Sequence, residues 1–134
     1  GAYFNDERLP TLEKTSLHPA VIGMNARWVT PNDFVHHEPI IQLVNDVRGV
    51  RSYGSAALEL AYVASGRLDA YLSMRLSPWD IAGGIVIARE VGAIATTMKN
   101  QDLSLTRSET FIVANRHLHE SFITNYLKCK PSLY

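Results

Sequence analysis

Residues 77–93 read SPWDIAGGIVIAREVGA. The pair Trp79-Asp80 stands directly before a run that carries no charge until Arg89 and Glu90. Such a run reads as a helix over residues 80–91, buried on every side. A carboxylate at the mouth of a buried helix has two readings. It is an N-cap, accepting the free backbone N–H groups of the first turn. Alternatively it is aimed into a cleft, held by Trp79 on one side and the helix on the other, where Asp is a hard oxygen ligand suited to Mg²⁺. Ala82, Gly83 and Gly84 bear on the choice. Glycine in a helix interior costs about 0.5–1 kcal/mol relative to alanine, so the pair implies that backbone or ligand approaches closely there.

Strands and helices alternate outward from this stretch. Upstream, LDAYLSM (68–74) is strand-like, and residues 55–65 read as a helix through Ala57, Leu60, Ala61 and Ala64, stopped by Gly66. VRGVRSYG gives a strand ending at Gly54, and PAVIGM (19–24) a short buried one. Between them lies a helix through Phe34, Ile40, Ile41, Leu43 and Val44, broken or bent near Pro39, with Thr30, Asn32 and Asp33 as cap candidates. The opening residues Ala2, Tyr3 and Phe4 meet the polar turn Asn5-Asp6-Glu7, a strand and turn already under way, which makes the chain read as a piece of something longer. Downstream, GAIATTM (92–98) and TFIVAN (110–115) are strands, followed by a helix from about Arg116 to Lys128 carrying Leu118, Phe122, Ile123 and Tyr126. The expected fold is α/β, one domain over residues 1–134, with helices packed on a layered sheet.

Composition narrows the function. Thirteen basic residues cancel thirteen acidic ones, so no concentrated positive surface is available for nucleic acid. No apolar run approaches the roughly 20 residues of a membrane span. One cysteine, Cys129, forbids an intramolecular disulfide and fits a reducing, cytoplasmic setting. Its neighbours Lys128 and Lys130 are expected to lower its pKa a little.

The stretch YGSAA (53–57) is the second candidate site. A glycine and a small hydroxyl end a strand and open a helix, where free N–H groups and the helix dipole suit an anion. Ser55 as an ordinary N-cap is the competing reading. His117 and His119, two apart on a helix, point to different faces and make no chelating pair. His36 and His37 read as solvated. Glu59, on an otherwise apolar helix, makes either a buried hydrogen bond or an interface contact.

Taken in order, GAYFN, RSYGSAALELAYVASGRLDAY (51–71) and WDIAGGIVIAREVGA (79–93) resemble the inositol monophosphatase family of Mg²⁺-dependent, lithium-sensitive phosphatases. The resemblance implies that this chain is the C-terminal α/β domain of a larger enzyme. It implies that Asp80 binds Mg²⁺ and that Gly54, Ser55 and Ala56 contact a phosphate ester substrate. The glutamate with which inositol-preferring members hold the sugar ring is replaced by Ser73, with Arg75 close by. The family's remaining metal ligands, in a Glu-Glu segment and an Asp-Pro-x-Asp-Gly motif, do not occur in this sequence. The chain alone is therefore expected to be inactive, completed by an N-terminal half of the same protein, with a homodimer plausible for the whole. A non-catalytic binding or regulatory module that keeps the phosphatase fold is the alternative.

Overall fold

The structure, a computed structural model, describes residues 1–104 and 106–131. A small hairpin opens the chain: β1 (Tyr3–Phe4) pairs antiparallel with β2 (Glu7–Arg8). Asn5 and Asp6 join them at φ 48° and 69°, the left-handed turn that matches strand twist. There follow β3 (Val21–Gly23), a 3₁₀ turn (Ala26–Val29), α1 (His37–Asp46), β4 (Gly49–Arg51) and α2 (Ala56–Ala64). The chain continues through β5 (Ala70–Leu76), α3 (Pro78–Glu90), β6 (Ile94–Thr96), β7 (Glu109–Ala114) and α4 (Arg116–Asn125).

Five strands form one mixed sheet in the order β4-β3-β5-β7-β6. β3 runs parallel to both β4 and β5, whereas β7 is antiparallel to β5 and β6. Side-chain alternation divides the interior into two cores. Ile22, Met24, Ala70, Leu72, Met74, Ile112 and Ala114 meet Ile40 and Leu43 of α1 and Leu118 and Phe122 of α4 on one face. Tyr71, Phe111 and Val113 meet Leu60 and Val63 of α2 and Ile81, Ile85 and Ala88 of α3 on the other. The result is a sheet between two helical layers, the α/β architecture the alternation predicts.

Several local expectations are corrected. α3 begins at Pro78, two residues earlier than expected, because proline suits the first helical position. It is not buried on every side: Trp79, Val86 and Ile87 are 82%, 62% and 44% exposed. On α2 the buried face holds Glu59, Leu60, Val63 and Ala64, while Ala57 and Ala61 are exposed. α1 is not broken at Pro39, which occupies its first turn, where its missing N–H is not needed. Its N-cap position is His36; Asn32 instead accepts the Phe34 and Val35 amides, both at 2.9 Å, and closes the turn before the helix.

The two glycines of α3 differ in purpose. A Cβ on Gly84 would lie 2.5 Å from Leu60 Cδ1 and 2.8 Å from Leu60 Cβ, so this glycine lets α2 and α3 touch. A Cβ on Gly83 would meet nothing within 4 Å. The close approach at Gly84 is to a helix.

Candidate functional site

The parallel strands place the site. The loop leaving β3 runs to α1 on one face, whereas the loops leaving its neighbours β4 and β5 run to α2 and α3 on the other. Diverging loops open a crevice at the carboxyl ends of the strands, the usual ligand position in such sheets. A pocket of about 300 Å³ lies there. The β3 loop contributes Asn25 and Trp28, and the β4 loop Ser52, Gly54, Ser55 and Ala56. Glu59 comes from α2, while Tyr71, Ser73 and Leu76 come from β5 and Asp80 from α3.

All five residues singled out from sequence, Asp80, Gly54, Ser55, Ala56 and Ser73, line this one pocket. Asp80 is exposed. It is not the N-cap of its helix. Ser77 holds that position, and Asp80, at the third helical residue, accepts the Ser77 N–H through Oδ2 at 3.2 Å. This reciprocal cap fixes the carboxylate while leaving Oδ1 and further lone pairs open. The exposed Trp79 does not clamp it.

Gly54 sits at φ 75°, a conformation that glycine adopts without strain, and it turns the chain from β4 into α2. Ser55 is the N-cap, its Oγ accepting the Leu58 N–H at 3.3 Å. The amides of the first helical turn, beginning with Ala56, have no acceptor within the helix and carry its positive end. They are suited to anionic oxygens. Ser73, buried to 6% exposure, shares the pocket-facing side of β5 with Tyr71. Burial, Glu59's charge and Asp80's charge push the Tyr71 phenol up to about 12, against a hydrogen bond with Ser73. Tyr71 therefore stays a neutral donor at ordinary pH. Arg75 is exposed, outside the pocket lining.

Sequence reasoning did not find Asn25, Trp28, Ser52 or Tyr71, and left Glu59 without a place. Glu59 is 4% exposed, and its carboxyl is raised above the usual value by burial, opposed by a backbone hydrogen bond from Tyr53. Gly23 makes room for it: a Cβ there would lie 2.9 Å from Glu59 Oε1. A charged residue on the apolar face of α2 was the signal.

A second cleft of about 280 Å³, at the opposite ends of the strands, is lined by Glu13, Ser65 and Asp69 among others. Its best candidate ligand is already engaged, because Asp69 accepts the Val21 amide at 2.8 Å and the Thr15 hydroxyl at 3.2 Å. The histidines behave as expected. His117 is exposed, and His119 is buried against Thr96 Oγ1 at 2.8 Å. Cys129 does not: burial raises its thiol pKa, and the opposing charge is Lys99 rather than its sequence neighbours. Among the described residues no three His, Cys, Asp or Glu side chains converge to hold a metal ion, and no helix is long and apolar enough to cross a membrane.

Comparison with known proteins bears on the family and the fold. The inositol monophosphatase family profile matches residues 1–130. Inositol-1-monophosphatase of Bacillus subtilis is 42% identical over 130 residues, covering 97% of this chain and 49% of that protein. The fructose-1,6-bisphosphatase/inositol-1-monophosphatase of Thermotoga maritima is 36% identical over 123 residues, covering 92% and 46%. The crystal structure of inositol monophosphatase-II from Staphylococcus aureus superposes with a TM-score of 0.88 at 39% identity, over 93% of this chain and 46% of that one. The chain spans about half the length of the curated relatives it matches.

Proposed function

Because the chain belongs to the inositol monophosphatase family, we propose that it forms the C-terminal α/β half of a Mg²⁺-dependent phosphatase hydrolysing inositol or sugar phosphate monoesters. The observation that carries this reading is the convergence of Asp80, Gly54, Ser55, Ala56 and Ser73 on one pocket at the strand ends.

Each group has a role. Asp80, a hard and exposed carboxylate already oriented by the Ser77 amide, fits as one ligand of the metal site. Bound Mg²⁺ supplies charge neutralisation on the phosphate and activation of water. The positive end of α2 orients the phosphate oxygens, and Gly54 leaves the backbone beside them uncovered. Tyr71 and Ser73 face the organic part of the substrate. One carboxylate cannot hold a catalytic cluster, so the remaining ligands come from an N-terminal half of the same protein. The exposed Trp79 beside Asp80 offers that half an apolar surface to cover. This reading takes the complete enzyme as a cytoplasmic homodimer.

The test is phosphate release from inositol 1-phosphate, fructose 1,6-bisphosphate and NADP, using the protein that carries this chain together with its upstream sequence. Mg²⁺-dependent release from at least one supports the reading. Indifference to all three in a folded protein removes it and favours a non-catalytic module.

A further inference from the structure

Among the described residues, only two buried side-chain polar atoms lack a hydrogen-bond partner: Glu59 Oε1 and Trp28 Nε1. Both residues line the pocket that contains Asp80. Elsewhere the buried polar groups are satisfied. Glu109 accepts from the Ser104 amide at 3.0 Å and from Arg107 Nε at 3.3 Å. Asn115 accepts the Leu118 amide at 3.0 Å, and Thr97 Oγ1 the Gln101 amide at 3.1 Å. Leaving a buried acceptor empty costs the desolvation of that group, and more for a charged group. Among the described residues that cost is borne only at this pocket.

We propose that Glu59 and Trp28 are ligand-contacting residues that recognise a hydroxyl-bearing organic group, a polyol, on the phosphate ester. An indole N–H only donates and a carboxylate only accepts, whereas a hydroxyl does both. A phosphate is the wrong occupant for Glu59, since it offers like charge to a carboxylate in a poorly solvated site. The two ends of the pocket thus divide the substrate. Asp80 and the start of α2 take the phosphate, and Glu59 with Trp28 takes the polyol. Two features keep Glu59 in place. It sits on a rigid helix, and the bare Gly23 leaves space for Oε1. Ser73, the neighbouring lining residue on β5, is too short and neutral to replace it.

This inference rests on the phosphatase reading, and the experiment separates the two. In the full protein carrying this chain, kcat/KM is measured for inositol 1-phosphate and for p-nitrophenyl phosphate, which has no hydroxyl. The ratio of the first to the second is expected to fall about 10–100-fold in Glu59→Leu, the loss of one hydrogen bond to a charged group. Trp28→Phe, which keeps a ring and removes the N–H, is expected to lower the ratio about 2–10-fold. Glu59→Gln keeps an acceptor and the shape, and falls between wild type and Glu59→Leu. If Glu59→Leu fails to fold, Gln and Trp28→Phe still decide. An unchanged ratio, including equal loss on both substrates, overturns the inference and leaves Glu59 as a structural residue of α2. A wild-type protein inactive on both substrates overturns the phosphatase reading and this inference with it.

Discussion

Replacing Gly84 and Gly83 separately by alanine is expected to move stability in opposite directions. Both lie in the interior of α3, so alanine improves each by about 0.5–1 kcal/mol in backbone terms. At Gly83 the new methyl meets nothing within 4 Å, and that gain stands alone. At Gly84 it meets Leu60 Cδ1 at 2.5 Å, Cβ at 2.8 Å and Cγ at 3.2 Å. The terminal methyl of a leucine can rotate away, but its Cβ moves only with the backbone of α2. Leu60 is fully buried, so α2 and α3 must separate. Overpacking of this kind costs typically about 1–3 kcal/mol. Subtracting the backbone gain leaves a net loss of about 0–2.5 kcal/mol, centred near 1 kcal/mol, for Gly84→Ala. Urea unfolding followed by circular dichroism measures both variants. With a slope near 2 kcal/mol/M, the middle of the roughly 1–3 range, a loss near 1 kcal/mol lowers the Gly84→Ala midpoint by about 0.5 M while Gly83→Ala raises it slightly. Gly84→Ala matching Gly83→Ala in sign would refute the helix-contact account and return the glycine pair to a ligand role.

Other consequences are as direct. Burial holds the His119 imidazole below its ordinary value of 6.5, with Arg116 acting the same way and Glu120 against it. The unfolded chain therefore binds the proton more readily. Stability should be flat above about pH 7 and fall as the pH drops below 6.5 toward the folded value, with His119→Gln flattening that slope in denaturation measured from pH 7.5 to 5. Asn115→Ala removes the cap that accepts the Leu118 amide at 3.0 Å. It should cost about 1–2 kcal/mol, read as a lowered urea midpoint.

The sequence made the layer order legible because apolar runs and glycine stops alternate regularly along it. The position of the candidate pocket was legible too, since Trp-Asp and Gly-Ser-Ala mark two helix entrances that a parallel sheet brings to one edge. What stayed hidden was orientation. Ala57 and Ala61 looked like core because alanine carries little information about burial, and the buried face of α2 in fact includes Glu59 and Val63. The start of α3 at Pro78 lies outside the apolar run that marks the helix, although Ser-x-x-Asp with proline inside is itself a capping pattern. The 3₁₀ turn that brings Trp28 to the pocket has too few residues to show a period. Glu59's placement depends on the emptiness of Gly23, a residue 36 positions away, which no local pattern reveals.

The central claim is that Asp80 is a metal ligand of a phosphatase site. Its most direct test is Mg²⁺-titrated phosphate release by the full protein carrying this chain, compared between wild type and Asp80→Asn. Asparagine still accepts the Ser77 amide, so circular dichroism should be unchanged and the fold intact. The account predicts a rate loss of about 100-fold, near 2.7 kcal/mol of transition-state stabilisation, with the half-saturating Mg²⁺ concentration raised. A folded Asp80→Asn protein that keeps the wild-type rate and the wild-type Mg²⁺ dependence would contradict it.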